Sequence, residues 1–215
     1  MAVDEYRHKG LRKRLIDELR AEGAFSEIVL EAMGTVPRHF FLDSAFVELA
    51  YENRALPIDA NQTISHPSTV AHQSTLLDLE KGSKVLEIGT GCGYQTAVLL
   101  ALGFKVYSIE RHLVLHQFAK KILSKISNKA YLSYGDGFKG IPALAPYDGI
   151  IVTCGAPEVP ESLLGQLAIG GKMIIPVNAE NDEQNMVLIK RISENEFEKS
   201  TTGKFRFVPM LERRV

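Results

Sequence analysis

The spacing of apolar residues changes near residue 80 of this chain, and the change divides it into two parts. In the first part Leu11, Leu15 and Leu19 recur every four residues, and charged side chains fill most of the positions between them. This period predicts an amphipathic helix over residues 4–22. A shorter apolar pattern predicts a second helix over residues 26–36, which ends before a proline.

Residues 38–63 have no sustained period. They mix aromatic side chains with polar ones and with Pro57, a pattern that predicts a partly irregular lobe packed on the main body. A helix is predicted over residues 67–79, because proline is tolerated in the first turn of a helix. Residues 1–79 are therefore interpreted as a helical addition that precedes a core at residues 80–215.

After residue 80 short apolar runs alternate with helical patterns. Strands are predicted over residues 84–88, 105–109, 130–134, 147–153, 172–177, 186–192 and 204–210, and helices over residues 94–102, 112–126 and 161–168. The alternation predicts an α/β fold with a doubly wound, mostly parallel, seven-stranded sheet. Because no helix separates the last two strands, we expect them to form an antiparallel edge. We expect one domain over residues 1–215, because the sequence contains no repeat or linker.

Composition narrows the classes of protein that this sequence can encode. The chain has 25 basic and 26 acidic side chains and a formal charge of -1, so its charge does not favour nucleic acid or an anionic membrane as a partner. Its two cysteines, Cys92 and Cys154, do not form a spaced framework, which favours a reducing compartment. No apolar run approaches the ~20 residues of a membrane span. These features predict a cytoplasmic protein.

Three alternating glycines follow the first strand of the core. They are Gly89, Gly91 and Gly93, and a helix is predicted directly after them. Without a β-carbon such a loop lets the backbone approach a ligand closely, although a plain strand-to-helix turn would use the same residues. A dinucleotide fingerprint requires its third glycine at the position of Tyr94. The spacing therefore favours a nucleoside with an amino-acid tail, which has no pyrophosphate to bind, over a nicotinamide dinucleotide.

Acidic residues stand at the ends of the next two predicted strands. Glu110 lies about twenty residues after the glycine loop, where a carboxylate can accept hydrogen bonds from ribose hydroxyls. Asp136 and Gly137 follow the third strand, where a carboxylate can accept a hydrogen bond from the exocyclic amine of adenine. Glu87, just before the loop, can steady the loop, bind the ammonium of a methionine tail or act as a structural acceptor. Because ligands of open α/β sheets bind at the carboxyl ends of strands, these residues predict one nucleoside site.

Four segments carry a resemblance to a known family. They are residues 62–65 (Gln-Thr-Ile-Ser), residues 85–96 around the glycine loop, residues 135–137 (Gly-Asp-Gly) and residues 206–209 (Arg-Phe-Val-Pro). Together they resemble the protein-L-isoaspartate O-methyltransferases, and the resemblance spans nearly the whole chain. The sequence departs from the family pattern at Asn61, where glycine is usual, and at Cys154, where a smaller residue is common.

The resemblance implies a class I methyltransferase that uses S-adenosylmethionine and has a Rossmann-like sheet with rearranged last strands. The implied substrates are isoaspartyl residues, and D-aspartyl residues as a second class, in damaged proteins and peptides. Their methyl esters are expected to close to a succinimide. Methylation of another carboxylate or of a small molecule, and non-catalytic binding of a nucleoside, stay open as alternatives. We expect a monomer without a nucleic-acid or membrane partner.

The resemblance also assigns residues to the site. It places Ser65 in the active site, near cofactor and substrate, although position alone favours an ordinary helix cap. Thr63, Ile64, Val208 and Pro209 are expected along a peptide groove, but Ile64 could equally belong to the core and the last two to an edge strand. The residues expected to bind the cofactor are Glu87, Gly89, Gly91, Gly93, Glu110, Asp136 and Gly137.

No metal site is expected from the sequence. His112 and His116 stand four residues apart on a predicted helix and could in principle share a metal ion. No third ligand with suitable spacing accompanies them, so a solvated helix face is the better interpretation.

Overall fold

A seven-stranded sheet positions the rest of this chain. The computed structural model describes residues 3–127, 129–179, 181 and 183–215. The strands are β1 (Leu56–Ile58), β2 (Gln62–Ile64), β3 (Lys84–Ile88), β4 (Lys105–Glu110), β5 (Tyr131–Tyr134), β6 (Tyr147–Val152), β7 (Leu167–Asn178), β8 (Gln184–Arg191) and β9 (Phe197–Phe205). The α-helices are α1 (Tyr6–Ala21), α2 (Glu27–Thr35), α3 (Pro67–Leu77), α4 (Tyr94–Ala101), α5 (Leu113–Ile126) and α6 (Glu161–Leu164). Short 3₁₀ helices cover Arg38–Phe41, Ser44–Leu49, Gly137–Lys139 and Pro142–Leu144.

The strand order along the sheet is β5, β4, β3, β6, β7, β8, β9. The first five are parallel, and β8 and β9 continue the sheet in antiparallel fashion. The predicted mostly parallel sheet with an antiparallel edge is therefore confirmed. The chain builds outward from β3 to β5 and then returns to β6 on the other side of β3. This reversal opens a crevice at the carboxyl ends of β3 and β6, where open α/β sheets bind ligands.

The middle of the sheet is buried on both faces. Residues 85–88 of β3 and 149–152 of β6 are all buried, and all but Glu87 are apolar or glycine. Continuous apolar runs of this kind are typical of parallel strands covered by helices. One buried cluster joins the sheet to residues of α1 to α5, and a second includes Leu163 of α6. In the part of the chain that the structure describes, no helix is long and apolar enough to cross a membrane.

The predicted irregular lobe contains a small hairpin. Its strands β1 and β2 pair antiparallel, and Ala60 and Asn61 in the turn have φ of 56° and 55°. Asparagine and glycine are the residues that adopt this left-handed region most readily. The departure from the family pattern at Asn61 therefore keeps the backbone conformation that glycine would provide.

Several predicted boundaries after residue 160 are wrong. The last strand is β9, which ends at Phe205, whereas residues 206–210 leave the sheet and pass over the crevice with a single bridge from Pro209 to Gly155. The side chains of β9 are mostly exposed and polar, so the strand has no apolar period. In addition, β7 begins at Leu167 instead of residue 172, and α6 is correspondingly shorter than predicted.

Candidate active site

A cleft lies at the carboxyl ends of β3, β4 and β6, where the sheet topology predicts a ligand site. Its walls come from the glycine loop, from the chain that follows β4 and β6, from β2 and from the segment after β9. The lining residues are Gln62, Thr63, Ile88, Gly89, Gly91, Ile109, Glu110, Arg111, His112, Leu115, Gly137, Thr153, Cys154, Val208, Pro209, Met210 and Leu211.

The glycine loop forms one wall of the cleft. Gly89 and Gly91 have φ of 95° and 55°, which side chains with a β-carbon rarely adopt. A β-carbon at Gly89 would lie 2.6 Å from the Oγ1 atom of Thr153. That hydroxyl donates to the Gly89 carbonyl at 2.7 Å, so the loop is held against the end of β6. Backbone thus faces the cleft where the sequence predicts close approach to a ligand.

Glu110 connects the glycine loop to α5. Its Oε2 accepts the backbone N–H of Gly91 at 2.8 Å, and its Oε1 accepts that of His112 at 2.8 Å. Each carboxylate oxygen keeps a further lone pair. The side chain is nearly buried and lines the cleft, so it can accept ribose hydroxyls as the sequence predicts.

Asp136 is adjacent to the cleft but does not line it, whereas Gly137 does. The Oδ1 atom of Asp136 accepts the N–H of Phe138 at 3.0 Å, and Oδ2 accepts the N–H of Arg213 at 3.1 Å. The carboxylate predicted to bind adenine therefore also anchors residues 211–215, which we call the closing strap.

The closing strap crosses the end of the cleft between β4 and β5. Val215 donates its N–H to the carbonyl of Arg111 at 2.8 Å and accepts the N–H of Leu113 at 2.8 Å. Nε of Arg111 donates to the carbonyl of Arg213 at 2.9 Å. Leu211 lines the cleft directly. The strap and the chain after β4 therefore enclose this end of the cleft together.

Like Asp136, two further residues predicted to bind the cofactor do not line the cleft. Glu87 is fully buried under the loop, where it accepts the hydroxyl of Thr96, and burial raises its pKa to about 7. Gly93 is the N-cap of α4, and a β-carbon there would lie 3.1 Å from Leu123 of α5. The structure thus places Glu87 as a buried acceptor for α4, and Gly93 at a close contact between α4 and α5.

Ser65 lines a second, smaller pocket beside the cleft. Thr63, Thr153 and Val208 line both pockets, which therefore adjoin at these residues. The N-cap of α3 is His66 and not Ser65, and the N–H of Ser68 is capped by Asn53 instead. Among the described residues the Ser65 hydroxyl has no hydrogen-bond partner, so the alternative interpretation as a helix cap is wrong.

The remaining predicted substrate residues divide between groove and core. Val208 lines both pockets, and Pro209 lines the cleft. Ile64 is 3% exposed and belongs to the larger apolar cluster, which favours the core interpretation that the sequence left open. The sequence did not identify Thr153, which directly follows β6; its position at the carboxyl end of a central strand is the signal that could have found it.

Both cysteines are free. Burial raises the pKa of Cys92 to about 11 and that of Cys154 to about 12. Because the thiolate is the nucleophilic form, neither side chain is suited to covalent catalysis at neutral pH. Cys154 lines the cleft, so the departure from the family pattern at this position adds a neutral, soft side chain to the wall.

One group of side chains of the metal-ligand type lies outside the site. Asp4, His8 and His39 bring possible ligand atoms within 4.8 Å of one another near the start of α1. Both carboxylate oxygens of Asp4 already accept hydrogen bonds from Arg12, at 3.0 and 2.9 Å. A guanidinium therefore holds the carboxylate that a metal ion would need.

The cleft lies at the switch point of this sheet, where open α/β sheets bind ligands, and it adjoins a second pocket. A family model described as "Protein-L-isoaspartate(D-aspartate) O-methyltransferase" matches residues 10–215. The chain belongs to this family.

Individual relatives agree with the family match. The chain is 56% identical over 210 residues to a protein-L-isoaspartate O-methyltransferase of Christiangramia forsetii, covering 97% of this chain and 98% of the relative. It is 49% identical over 203 residues to that of Pseudomonas fluorescens, covering 93% and 95%. Among solved structures, a protein-L-isoaspartate O-methyltransferase superposes with a TM-score of 0.84 at 32% identity, covering 92% of this chain and 65% of that chain.

A second solved structure shares the fold. It is described as a putative protein-L-isoaspartate O-methyltransferase from Plasmodium falciparum in complex with S-adenosyl-L-homocysteine. It superposes with a TM-score of 0.82 at 23% identity and covers 93% of this chain and 98% of that chain.

Proposed function

We propose that this enzyme transfers the methyl group of S-adenosylmethionine to the free α-carboxylate of L-isoaspartyl residues in damaged proteins and peptides. We include the side-chain carboxylate of D-aspartyl residues as a second substrate. One observation carries the assignment of roles within the site: Thr63, Thr153 and Val208 line both the cofactor cleft and the pocket of Ser65, so the two pockets adjoin at these residues. A carboxylate beside Ser65 then lies next to the cleft that holds the methyl donor.

The residues of the cleft suit this cofactor. The backbone of Gly89 and Gly91 gives a surface without β-carbons for the amino-acid tail, and Glu110 provides acceptors for the ribose hydroxyls. Gly137 lies beside the adenine position, and Asp136 is an acceptor whose second lone pairs are still available. The bound cofactor supplies a methyl group on a cationic sulfonium.

No catalytic base is needed for this reaction. The substrate carboxylate has a pKa of about 4 and is ionised at neutral pH, so no proton has to be removed before the attack on the methyl group. The task of the protein is to align the two reactants and to exclude water, which would otherwise solvate the carboxylate and lower its reactivity. We assign the alignment to the Ser65 hydroxyl, which is free to donate to the carboxylate.

The charge around the second pocket favours an anionic substrate. Arg206 lines it together with Ser65. Arg206 lies 4.0 Å from Glu183, and its side chain is 77% exposed, so the ion pair is weak. A guanidinium in this position can attract a carboxylate toward the pocket without binding it so tightly that it stops reacting.

The methyl ester product is more reactive than the carboxylate from which it forms. Its methoxide group can leave when the neighbouring backbone amide attacks the ester carbonyl, so the succinimide can close without help from the enzyme. Hydrolysis of the succinimide then restores normal aspartate in part. We therefore propose that this methylation begins a repair sequence.

Methyl transfer to paired peptides tests the proposal. Two peptides that differ only in aspartate or isoaspartate at one position are incubated with the enzyme and radiolabelled S-adenosylmethionine. We expect label in the isoaspartyl peptide and background in the other. Equal labelling would leave a carboxylate methyltransferase but remove the isoaspartyl assignment. Binding of S-adenosylhomocysteine without labelling of either peptide would favour a non-catalytic nucleoside-binding protein.

We also propose that the enzyme is a single-domain, cytoplasmic monomer that does not bind nucleic acid. The formal charge of -1 and the free state of Cys92 and Cys154 support this proposal. Residues of α1 to α5 share one apolar cluster with the sheet, which supports one domain in which residues 1–79 form an addition to the core at 80–215. Light scattering measures the oligomeric state, and a mass of twice 23.8 kDa would contradict the proposed monomer.

A further inference from the structure

Arg38 is a buried arginine without an acidic partner. It is 1% exposed and is among the largest fully buried side chains. No carboxylate of the described residues forms an ion pair with it, and its Nη1 atom is buried without a hydrogen-bond partner. Burial lowers the pKa of its guanidinium. An unpaired cation inside a protein is costly, so a residue of this kind needs an explanation beyond filling space.

The guanidinium of Arg38 joins three segments of the chain. Its Nη2 donates to the carbonyl of Ser65 at 2.8 Å and to that of Arg54 at 3.3 Å, and its Nε donates to the carbonyl of Ala50 at 3.0 Å. The guanidinium carbon lies 4.8 Å from the centroid of the Tyr94 ring. The shortest of these hydrogen bonds therefore goes to the backbone of the residue that we place against the substrate.

Tyr94 connects this network to the cofactor side. It is the first residue of α4 and directly follows the glycine loop, which ends at Gly93. Its ring is buried and packs edge-on against Phe41, so it gives the guanidinium a rigid aromatic face. The side chain of Arg38 thus fixes the position of the Ser65 backbone relative to the start of α4, the helix that follows the glycine loop.

We propose that Arg38 is a positioning residue for methyl transfer, which holds Ser65 in register with the glycine loop so that its hydroxyl meets the substrate carboxylate. This inference rests on the proposed role of Ser65. The planar guanidinium binds three carbonyls and stacks on a ring at the same time, whereas a lysine ammonium keeps the charge but not this geometry. Small displacements of a group that orients a reactant lower the rate strongly.

The experiment compares Arg38→Lys and Arg38→Met with matched variants of Arg12. Arg12 is also a nearly buried arginine of the helical addition, bonded to Gly34, Tyr51 and Asp4, but it does not contact Ser65. For each variant we measure the melting temperature, the Kd of S-adenosylhomocysteine, and kcat and KM with an isoaspartyl peptide.

We expect Arg38→Lys to lower kcat about tenfold or more, with the Kd of S-adenosylhomocysteine unchanged within about twofold. Arg12→Lys and Arg12→Met should change the melting temperature with kcat of the folded enzyme retained. If kcat of Arg38→Lys stays at the wild-type level, or falls only as far as the folded fraction falls, the proposal is wrong. Should Arg38→Met fail to fold, the lysine variant still decides the question.

A double-mutant cycle with Ser65→Ala separates the two proposals. If Arg38 acts through Ser65, the substitution Arg38→Lys should cost about twofold or less in kcat when residue 65 is already alanine. Full additivity would overturn the positioning role and leave the role of Ser65 intact. Wild-type kcat in Ser65→Ala alone would overturn the role of Ser65 and, with it, the inference about Arg38.

Discussion

The backbone N–H of Gly91 donates to Oε2 of Glu110 across 2.8 Å, so the carboxylate at the end of β4 holds the glycine loop that follows β3. Its other oxygen accepts the N–H of His112 just before α5. One side chain therefore fixes the distance between two walls of the cofactor cleft. A change at this position alters the shape of the cleft as well as its charge.

Glu110→Gln should weaken cofactor binding. The amide has one acceptor oxygen in place of two and presents an NH₂ group to a backbone N–H, so one of the two bonds to the loop or to α5 is lost. We expect the Kd of S-adenosylhomocysteine, measured by calorimetry, to rise about tenfold to a hundredfold. Asp148→Asn is the control, because Oδ2 of Asp148 also accepts a backbone N–H, from Lys84, at the opposite end of β3. If Asp148→Asn raised the Kd of S-adenosylhomocysteine as much as Glu110→Gln does, the effect would not come from the contacts of Glu110 at the cleft.

Gly89→Ala should damage the cleft more than its backbone strain explains. The new β-carbon would lie 2.6 Å from Thr153, and the φ of 95° is unfavourable for alanine. Gly82→Ala is the control, since Gly82 has a φ of 91° and open space around it. Strain of about 1–2 kcal/mol is expected in both proteins, but only Gly89→Ala should lose affinity for S-adenosylhomocysteine. Thermal melts measure the strain in each variant, and calorimetry measures the Kd of S-adenosylhomocysteine. Equal Kd values for the two variants would contradict the prediction.

The closing strap should contribute to cofactor retention. Arg213→Pro removes the N–H that bonds Asp136 and forbids the φ of 62° found there. Arg213→Gly is the control, because it keeps the N–H and accepts a positive φ. Stopped-flow measurements should show S-adenosylhomocysteine leaving the proline variant about tenfold faster than the glycine variant. The same release rate in both would mean that the strap does not retain the nucleoside.

Glu87 should make the stability of the protein fall as pH rises. Its pKa is raised from an ordinary value of 4.5 to about 7, so the folded protein holds this proton more tightly than the unfolded chain. The stabilisation is complete below pH 4.5 and is lost as pH rises through 7. A shift of this size corresponds to about 3 kcal/mol.

Urea unfolding of wild type and Glu87→Gln at pH 5 and pH 8.5 measures this contribution. The glutamine variant cannot ionise at this position. The free energy of unfolding of wild type should therefore fall, relative to that of the variant, from pH 5 to pH 8.5. The comparison between the two proteins removes the effect of the other titrating groups. A difference that is the same at both pH values would show that the pKa of Glu87 is not raised.

The core of the fold could be predicted because its signals are local. The strands β3, β4 and β6 are short, largely apolar runs, and the helices between them have a clear period. In addition, β3 is followed by Gly89 and β4 ends at Glu110. β9 could not be predicted, since it is an edge strand of mostly exposed side chains whose position depends on its pairing with β8. The hairpin of β1 and β2 is only three residues on each side, too short for a period to show.

The candidate site was predictable where one stretch of sequence builds it. Gly89, Gly91 and Glu110 were found from the loop and the strand end, and all three line the cleft. Glu87 does not line the cleft, because alternation along β3 sends its side chain under the loop, against α4, which agrees with its interpretation as a structural acceptor. The closing strap was not predicted, because its contacts with Arg111 join residues about a hundred positions apart and no local pattern encodes them.

The two pockets share both flanks of the chain. About half of the residues that line the cofactor cleft lie at 88–137 and the rest at 62–63, 153–154 and 208–211, whereas the pocket of Ser65 combines residues 55–69 with Thr153 and residues 206–208. Its recognition surface therefore exists only while both flanks of the polypeptide are docked on the sheet. Damage to residues 55–69 of this repair enzyme, by ageing or by proteolysis, would chiefly remove recognition of the lesion, whereas damage after residue 206 would open both pockets at once.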